Sequence, residues 1–318
     1  MDPVQSAYRK HHSCETALIK VKNDIDMAID AGKGALLLLL DNSAAFETIN
    51  HGILFNRLEK LLGISGVALK WCKSYLSERV QSVLIGSSES TDNIVNIGTA
   101  QGSILGSLFY ILYILPLGQL ISSCGVNNHG FADDRQLYNY FIRKDQSSLT
   151  AAISTLEQCY LKVKGWMTLN KLLLNDDKTE FIIIVNKQSI LKLRDANGLL
   201  PCFHADQNVI QCSQYVRNLG STFDMCLSMS QMVSKIIQLC YFDLRRIIIV
   251  KRFLSAAALK HLIVSLIMSR IDQYNALLTG ISKLDKTRLN MALNRAARLL
   301  TNTGRREPMT TTLSQLHW

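Results

Sequence analysis

"HGFADDRQLYNY", His129–Tyr140, sets two adjacent acids inside an otherwise apolar and aromatic run. Neighbouring carboxylates repel each other, and burying them is unfavourable unless a cation lies between them. The flanking residues predict two short strands with Asp133 and Asp134 at the turn that joins them. A second stretch, "ALLLLLDNSAAF" (Ala35–Phe46), supplies a partner. Its aliphatic run is apolar on both faces, which predicts a buried central strand ending at Asp41. If the two strands are neighbours, three carboxylates converge. Bare, that cluster repels itself; two Mg²⁺ ions, hard cations that take oxygen ligands, would neutralise it. Paired ions of this kind serve in-line phosphoryl transfer, as in polymerases and nucleases. Taken alone, an Asp-Asp dipeptide is far more often a surface turn.

Between the acids lies "GTAQGSILGS", Gly98–Ser107. Gln101, Gly102 and Ser103 form a small polar loop that opens a helix. Gly102 lets backbone approach a ligand closely, and a helix N-terminus favours anionic groups. The plain alternative is an ordinary helix start capped by Ser103. Gln101 follows Asp41 by 60 residues and Asp133 follows Gln101 by 32, an ordered set that chance rarely produces.

Around these stretches the pattern alternates helix and strand to about residue 225 and is helical from about Met229. Ala17, Leu18, Val21, Ile25 and Ala28 define one face of a helix that Ser13 caps and Gly32 and Gly34 end. Segments 51–62 and 66–78 read as helices. "VQSVLIG" and "NIVNIG" read as strands joined by "SSESTD", and "SILGSLFYILYILPLG" as a long helix stopped by Pro116 and Gly118. An amphipathic helix is expected over 146–170, then a buried strand "EFIIIV", then a strand, turn and strand in "YVRNLGSTFD". Hairpin-like joins argue against a purely parallel sheet.

The chain has 318 residues, 48% hydrophobic and 19% charged, which indicates a globular and not a disordered chain. The longest purely aliphatic run, Ala35–Leu40, is far short of a bilayer span, so no membrane partner is expected. The polar N-terminus shows no signal-peptide pattern. Eight scattered cysteines without metal-ligand spacing read as reduced thiols of an intracellular protein. The net charge of +10 is uneven: residues 229–318 hold 14 of the 35 Lys and Arg but 4 of the 25 Asp and Glu, so that segment carries the whole excess. It is either a solvated helical surface or a polyanion-binding face.

The ordered motifs resemble the reverse transcriptases of non-LTR, LINE-type retrotransposons, in the jockey-like and related groups. "QSAYRKHHSCETAL" looks like their fingers motif, "LLLDNSAAFETINH" like motif A, "AQGSILGS" like motif B and "FADDRQLY" like motif C. "WMTLNKLLLNDDKTEFIII" looks like motif D, "VRNLGSTFD" like the primer grip, and "ARLLTNTGRREPMTTTLSQLHW" like the segment after the thumb. The resemblance covers nearly the whole chain. It implies an α+β fold, a right-hand polymerase palm with an antiparallel sheet packed on helices, partial fingers and an all-helical thumb. The expected domains are partial fingers over 1–34, a palm over 35–228 with an insertion at about 52–98, and a basic helical thumb with its following segment over 229–318.

By this resemblance Asp41, Asp133 and Asp134 are the catalytic and metal-binding acids, with the backbone carbonyl of Asn42 a further ligand. Two Mg²⁺ ions are implied, with Mn²⁺ as a substitute. Phe46 stands at the aromatic gate that excludes a 2′-OH; otherwise it is a core Phe. Gln101 and Gly102 shape the dNTP and template pocket. Lys178 would protonate the leaving pyrophosphate, and Arg9 matches the fingers arginine; each has a solvated surface role as its alternative. Leu219 and Gly220 form the primer-grip turn. Arg245, Arg246, Lys251, Arg252 and Lys260 would line the duplex path. The implied partners are RNA template, DNA primer and dNTP, in the nucleus and cytoplasm. Glu47, Asn50, Ala100, Ser107, Phe131, Arg135 and Asp176 depart from the usual motifs. The chain begins within the fingers, without the family's upstream endonuclease, and stops at "LHW" where the family continues, so it reads as a fragment. That drift leaves a second reading open, a catalytically silent nucleic-acid-binding remnant. A metal-dependent nuclease lacks support, since no His or Glu accompanies the acids.

Overall fold

The computed structural model describes residues 2–43, 45–194, 198–304 and 306–318. It divides into two compact units, Met1–Ser213 and Gln214–Trp318.

In the first unit four strands form one antiparallel sheet: β1 (Lys33–Leu40), β2 (Asn127–Phe131), β3 (Asp134–Ile142) and β4 (Glu180–Ile184). Their spatial order is β4-β1-β3-β2. Every residue of β1 after Lys33 is buried, as its unbroken apolar run requires of a central strand. β2 and β3 form a hairpin whose two-residue turn, Ala132-Asp133, lies between the paired Phe131 and Asp134. Because β1 pairs with β3 through Leu40 opposite Arg135, Asp41 emerges at the same end of the sheet as Asp134. The expected convergence of strand ends is therefore a matter of register.

Helices pack on this sheet. In α1 (Cys14–Asp30) Ser13 Oγ accepts from the Thr16 N–H and Thr16 Oγ1 from the Ser13 N–H, a reciprocal cap. Its buried face is Ala17, Leu18, Val21, Ile25 and Ala28, the predicted set. Two helices, α2 (His51–Asn56) and α3 (Gly66–Leu76), precede α4 (Ile104–Ser123) and α5 (Gln146–Leu169). α1 packs on β1 and β2, α4 on β2 and α5, and α5 on β3. Among the described residues α4 alone is long and apolar enough, by length and composition, to cross a membrane; half of it is buried within the structure.

Two segments depart from the pattern expected of them. α4 is not stopped by Pro116 and Gly118 but continues to Ser123. One proline removes a single intrahelical hydrogen bond, and the burial of Phe109, Tyr110, Tyr113, Ile114, Leu117 and Ile121 holds the helix through it. The exposed ribbon of residues 80–94 does not turn at "SSESTD". Leu84–Ile85 pair with Ser88–Glu89 around Gly86, whose φ of +63° suits the tight turn, and Val80–Gln81 pair with Asn93–Ile94 below it.

The second unit opens with a hairpin, β5 (Tyr215–Asn218) and β6 (Ser221–Asp224), so it is not purely helical. Leu219 and Gly220 both have positive φ, as a tight two-residue hairpin turn demands. The long helix α6 (Ser230–Val250) buries Met232, Val233, Ile236, Cys240, Leu244 and Ile247 and packs on β6 and on the helix Lys283–Thr301. Two buried carboxylates are paired: Asp243 with Arg270, and Asp285 with Ser230, Ser282 and Arg288.

Candidate functional site

Register and turn chemistry bring Asp41, Asp133 and Asp134 to one end of the sheet. Burial raises the carboxyl of Asp133, and the charge of Asp41 raises it further. Asp134 is pushed up to about 6, first by desolvation and then by Asp133 and Asp41. Much of the Asp134 side chain still meets solvent, so water screens part of that repulsion. Three acids thus act on one another as an under-compensated negative cluster. The nearest countercharge is Lys178, whose Nζ lies 3.4 Å from Asp41 Oδ2. Among the described residues no group of three or more His, Cys, Asp or Glu side chains is drawn together tightly enough to grip a metal ion as it stands.

Beneath the acids the packing is polar and specific. Asn42 Nδ2 donates to the buried Tyr110 hydroxyl at 3.1 Å, which accounts for a polar residue where the resembled family prefers an apolar one. Burial raises the Tyr110 hydroxyl, and the Asn42 bond opposes that rise. Arg135, another departure, is 3% exposed on the strand that carries Asp134. Its Nη1 donates to Asn128 Oδ1 at 2.9 Å and lies 3.8 Å from Asp2 Oδ2. Gly130 leaves the room this needs, since a Cβ there would stand 3.0 Å from the guanidinium carbon. His129, on the same hairpin, has Nε2 2.9 Å from Ser6 Oγ. Burial pushes it down to about 4, helped by Lys20 and Arg135 and opposed by Asp24.

Phe46 is half-buried, its ring 5.1 Å from that of Tyr110. Its carbonyl accepts from the Thr99 N–H at 2.9 Å, and the Gly98 N–H donates to Ile49 O at 2.8 Å. His51 Nε2 donates to Gly98 O at 2.7 Å. The chain after Asp41 is thereby zipped to the chain before Gln101. Gly98, at φ +82°, permits this approach: a Cβ would lie 2.7 Å from Glu47 O. Gln101 Nε2 donates to Glu47 Oε1 at 2.9 Å, so the unusual Glu47 anchors that loop. Gly102 has open space where a Cβ would stand. Ser103 caps α4 through Gly106 N–H at 3.0 Å.

Arg9 is turned onto the carbonyl oxygens of Gln5 and Asp2, at 3.0 and 3.3 Å. Leu219, Gly220 and the basic residues belong to the second unit. There the Tyr274 hydroxyl donates to Leu219 O at 2.6 Å and braces the turn. Arg245, Arg246, Arg252 and Lys260 are exposed. Lys251 instead donates to Leu299 O at 2.8 Å and to Asn302 Oδ1, closing the end of a neighbouring helix. Sequence reasoning missed Gln5, Ser6 and Tyr110, and saw Arg135 only as an oddity. Gln5, Ser6 and Tyr110 act on residues 127, 123 and 68 positions away, with no local signal, whereas Arg135 bonds Asn128 across its own hairpin.

An antiparallel sheet with a central strand ending in one acid, beside a hairpin turn carrying two more, is the palm of an α+β nucleic-acid polymerase. Residues 1–223 match the family described as Reverse transcriptase (RNA-dependent DNA polymerase), and the chain belongs to that family. It is similar to the probable RNA-directed DNA polymerase from transposon BS of Drosophila melanogaster, 27% identical over 113 residues, 36% of this chain and 12% of that protein. The probable RNA-directed DNA polymerase from transposon X-element of the same fly is 34% identical over 109 residues, 34% of this chain and 12% of that protein. The matches thus take in only a small part of either relative's length. Among solved structures, telomerase from Candida albicans in complex with a TWJ fragment of telomeric RNA aligns at a TM-score of 0.44 and 12% identity, over 98% of this chain and 51% of that one. Apo telomerase from Candida tropicalis aligns at 0.44 and 11%, over 69% and 41%. These likenesses are distant, and the fold rests on the strand order and register described above.

Proposed function

We propose that this chain is the polymerase core of a non-LTR retrotransposon reverse transcriptase, copying RNA into DNA by adding dNTPs to a primer 3′-OH. The observation that carries the reading is the convergence of Asp41, Asp133 and Asp134 at one end of the palm sheet, fixed by strand register. Three sets of hard carboxylate oxygens with Lys178 beside Asp41 as countercharge suit a pair of Mg²⁺ ions, or Mn²⁺, which Asp41 and Asp133 would hold with Asp134 adjoining and the Asn42 carbonyl assisting. When bound, such ions polarise the phosphate and stabilise charge on the attacking and leaving oxygens.

The residues themselves position and exclude. The Phe46 ring, backed by Tyr110, sets the space beside the incoming sugar and disfavours a 2′-OH. Gln101 and Gly102 offer an amide and an unobstructed backbone to the base pair being formed. The primer 3′-OH gives up its proton to solvent and O3′ bonds to the α-phosphorus as the bond from that phosphorus to the bridging oxygen breaks, and Lys178 hands a proton to the departing pyrophosphate. In the second unit, the hairpin turn at Leu219 and Gly220 guides the primer. Arg245, Arg246, Arg252 and Lys260 of its helices meet duplex phosphates, which position without reading sequence. Lys251 is allotted to the fold. The fingers, palm and thumb limits expected above are kept as part of this proposal. An enzyme of this kind would act in the cytoplasm and nucleus.

The test is primer extension on an RNA template with purified protein, the four dNTPs and Mg²⁺. Templated, dNTP-dependent products support the reading; tight binding of the template-primer without any extension, in Mg²⁺ or Mn²⁺, sinks it.

A further inference from the structure

The turn that presents Asp133 is not self-sufficient. Ala132 has φ +55°, in the left-handed region that a residue with a Cβ rarely occupies, and it fills the first central position of a two-residue hairpin where glycine is the usual choice. Something must hold it there. Gln5, 2% exposed, does so from 127 residues away: its Nε2 donates to Ala132 O at 3.2 Å, and its Oε1 accepts from the Ala132 N–H at 3.0 Å. One amide side chain therefore satisfies both main-chain groups of the strained residue. The grip is anchored from behind. Gly130 N–H donates to Val4 O at 2.7 Å, Ser6 N–H donates to Gly130 O at 2.9 Å, and Gln5 bridges Gly130 in parallel. The Ala7 N–H donates to the same Oε1 at 3.0 Å, and Ala7, Ile111 and Ala132 form a small buried cluster beside Phe131.

We propose that Gln5 is a positioning residue for nucleotidyl transfer: it locks the Ala132-Asp133 turn in the one conformation that aims Asp133 into the site. The inference rests on the polymerase reading above and adds to it a role for the N-terminal segment. Gln5 touches no reacting group; it acts through the peptide groups of Ala132.

The test uses the whole chain. Gln5→Met keeps the length of the side chain and loses both bonds to Ala132. The expected results are a thermal midpoint close to the parent's and an Ala132 amide that exchanges with solvent on the order of 10-fold faster or more. The rate of primer extension should fall about 10²-fold, the scale of a small misplacement at a reacting centre, with KM for template-primer unchanged. The decisive arm is Gln5→Met combined with Ala132→Gly. Glycine adopts the left-handed turn without help, so most of the lost rate should return. A role confined to anchoring the N-terminal segment would not be rescued from position 132. Unchanged extension in Gln5→Met overturns the proposal, and so does a loss that Ala132→Gly leaves uncorrected. If Gln5→Met does not fold, Gln5→Asn, whose amide is one methylene further from both Ala132 groups and adds no charge, carries the same comparison. If the parent itself extends no primer, the polymerase reading fails separately. The exchange rate of the Ala132 amide then decides alone: unchanged protection in the variant overturns the turn-locking role, and lost protection upholds it.

Discussion

His129 makes the palm sheet acid-labile in a way that can be worked out in advance. It is 7% exposed and hydrogen-bonded to Ser6, and its imidazole is pushed from 6.5 down to about 4 by burial and by the nearby Lys20 and Arg135. The folded state holds it neutral, whereas the unfolded chain takes up a proton as pH falls through 6.5. Stability contributed by the neutral ring is therefore complete above pH 6.5 and is lost progressively down to about pH 4. The shift corresponds to a loss of about 2 kcal/mol at pH 5 and about 3 kcal/mol at pH 4. Asp134, raised toward 6, works in the opposite sense over part of this range, but its exposure keeps that share smaller. Comparison of the parent with His129→Gln isolates the histidine. Urea unfolding followed by fluorescence in a Trp318→Phe background reports on the first unit through Trp71 and Trp166. At pH 8 the variant should be the less stable protein, by about 1–2 kcal/mol for the lost packing and hydrogen bond. The gap should close as the pH falls and reverse near pH 5. If the two proteins keep a constant difference from pH 8 to pH 4.5, the buried neutral imidazole is refuted.

Phe46→Ala should raise incorporation of rNTP relative to dNTP without altering the metal requirement, read by single-nucleotide extension; an unchanged ratio returns Phe46 to a packing role against Tyr110. Gly98→Ala places a Cβ against Glu47 O at a φ of +82°, and should destabilise the first unit by about 2–4 kcal/mol in the same urea assay. Replacing Arg245, Arg246 and Arg252 together by Gln should weaken binding to every template-primer alike. It should also flatten the slope of log K against log salt by up to about 2–3 units, if each meets one phosphate. Lys251→Met should leave that slope alone and lower the midpoint of thermal unfolding, because its ammonium is held by Leu299 O and Asn302.

The parts of this fold that were legible in the sequence are those fixed by local periodicity and capping. The buried face of α1, the unbroken apolar strand at Ala35–Leu40 and the span of α5 all follow from side-chain period and cap residues a few positions away. The juxtaposition of Asp41 with Asp133 and Asp134 was legible only as a condition, that their strands be neighbours; the pairing of Leu40 with Arg135 meets it. What could not be read depends on distant partners. Pro116 reads as a stop because a local rule says so, and burial of the surrounding α4 residues overrides it. Asn42 and Arg135 look like drift until Tyr110, Asn128 and Asp2 are brought to them. Gln5 carries no local signal of its role, since its partner lies 127 residues on. Lys251 and Arg252 are adjacent and alike in sequence, yet one closes a helix end and the other is exposed.

The acids at the end of the palm sheet are the seat of the proposed chemistry. Asp133→Asn preserves the size of the side chain and removes one carboxylate from the cluster. Primer extension on an RNA template should be abolished in this variant, while its affinity for the same template-primer, measured in the same buffer by fluorescence anisotropy, stays at the parental value. An Asp133→Asn protein that extends primers as fast as the parent would contradict the assignment of these three carboxylates as the seat of the chemistry.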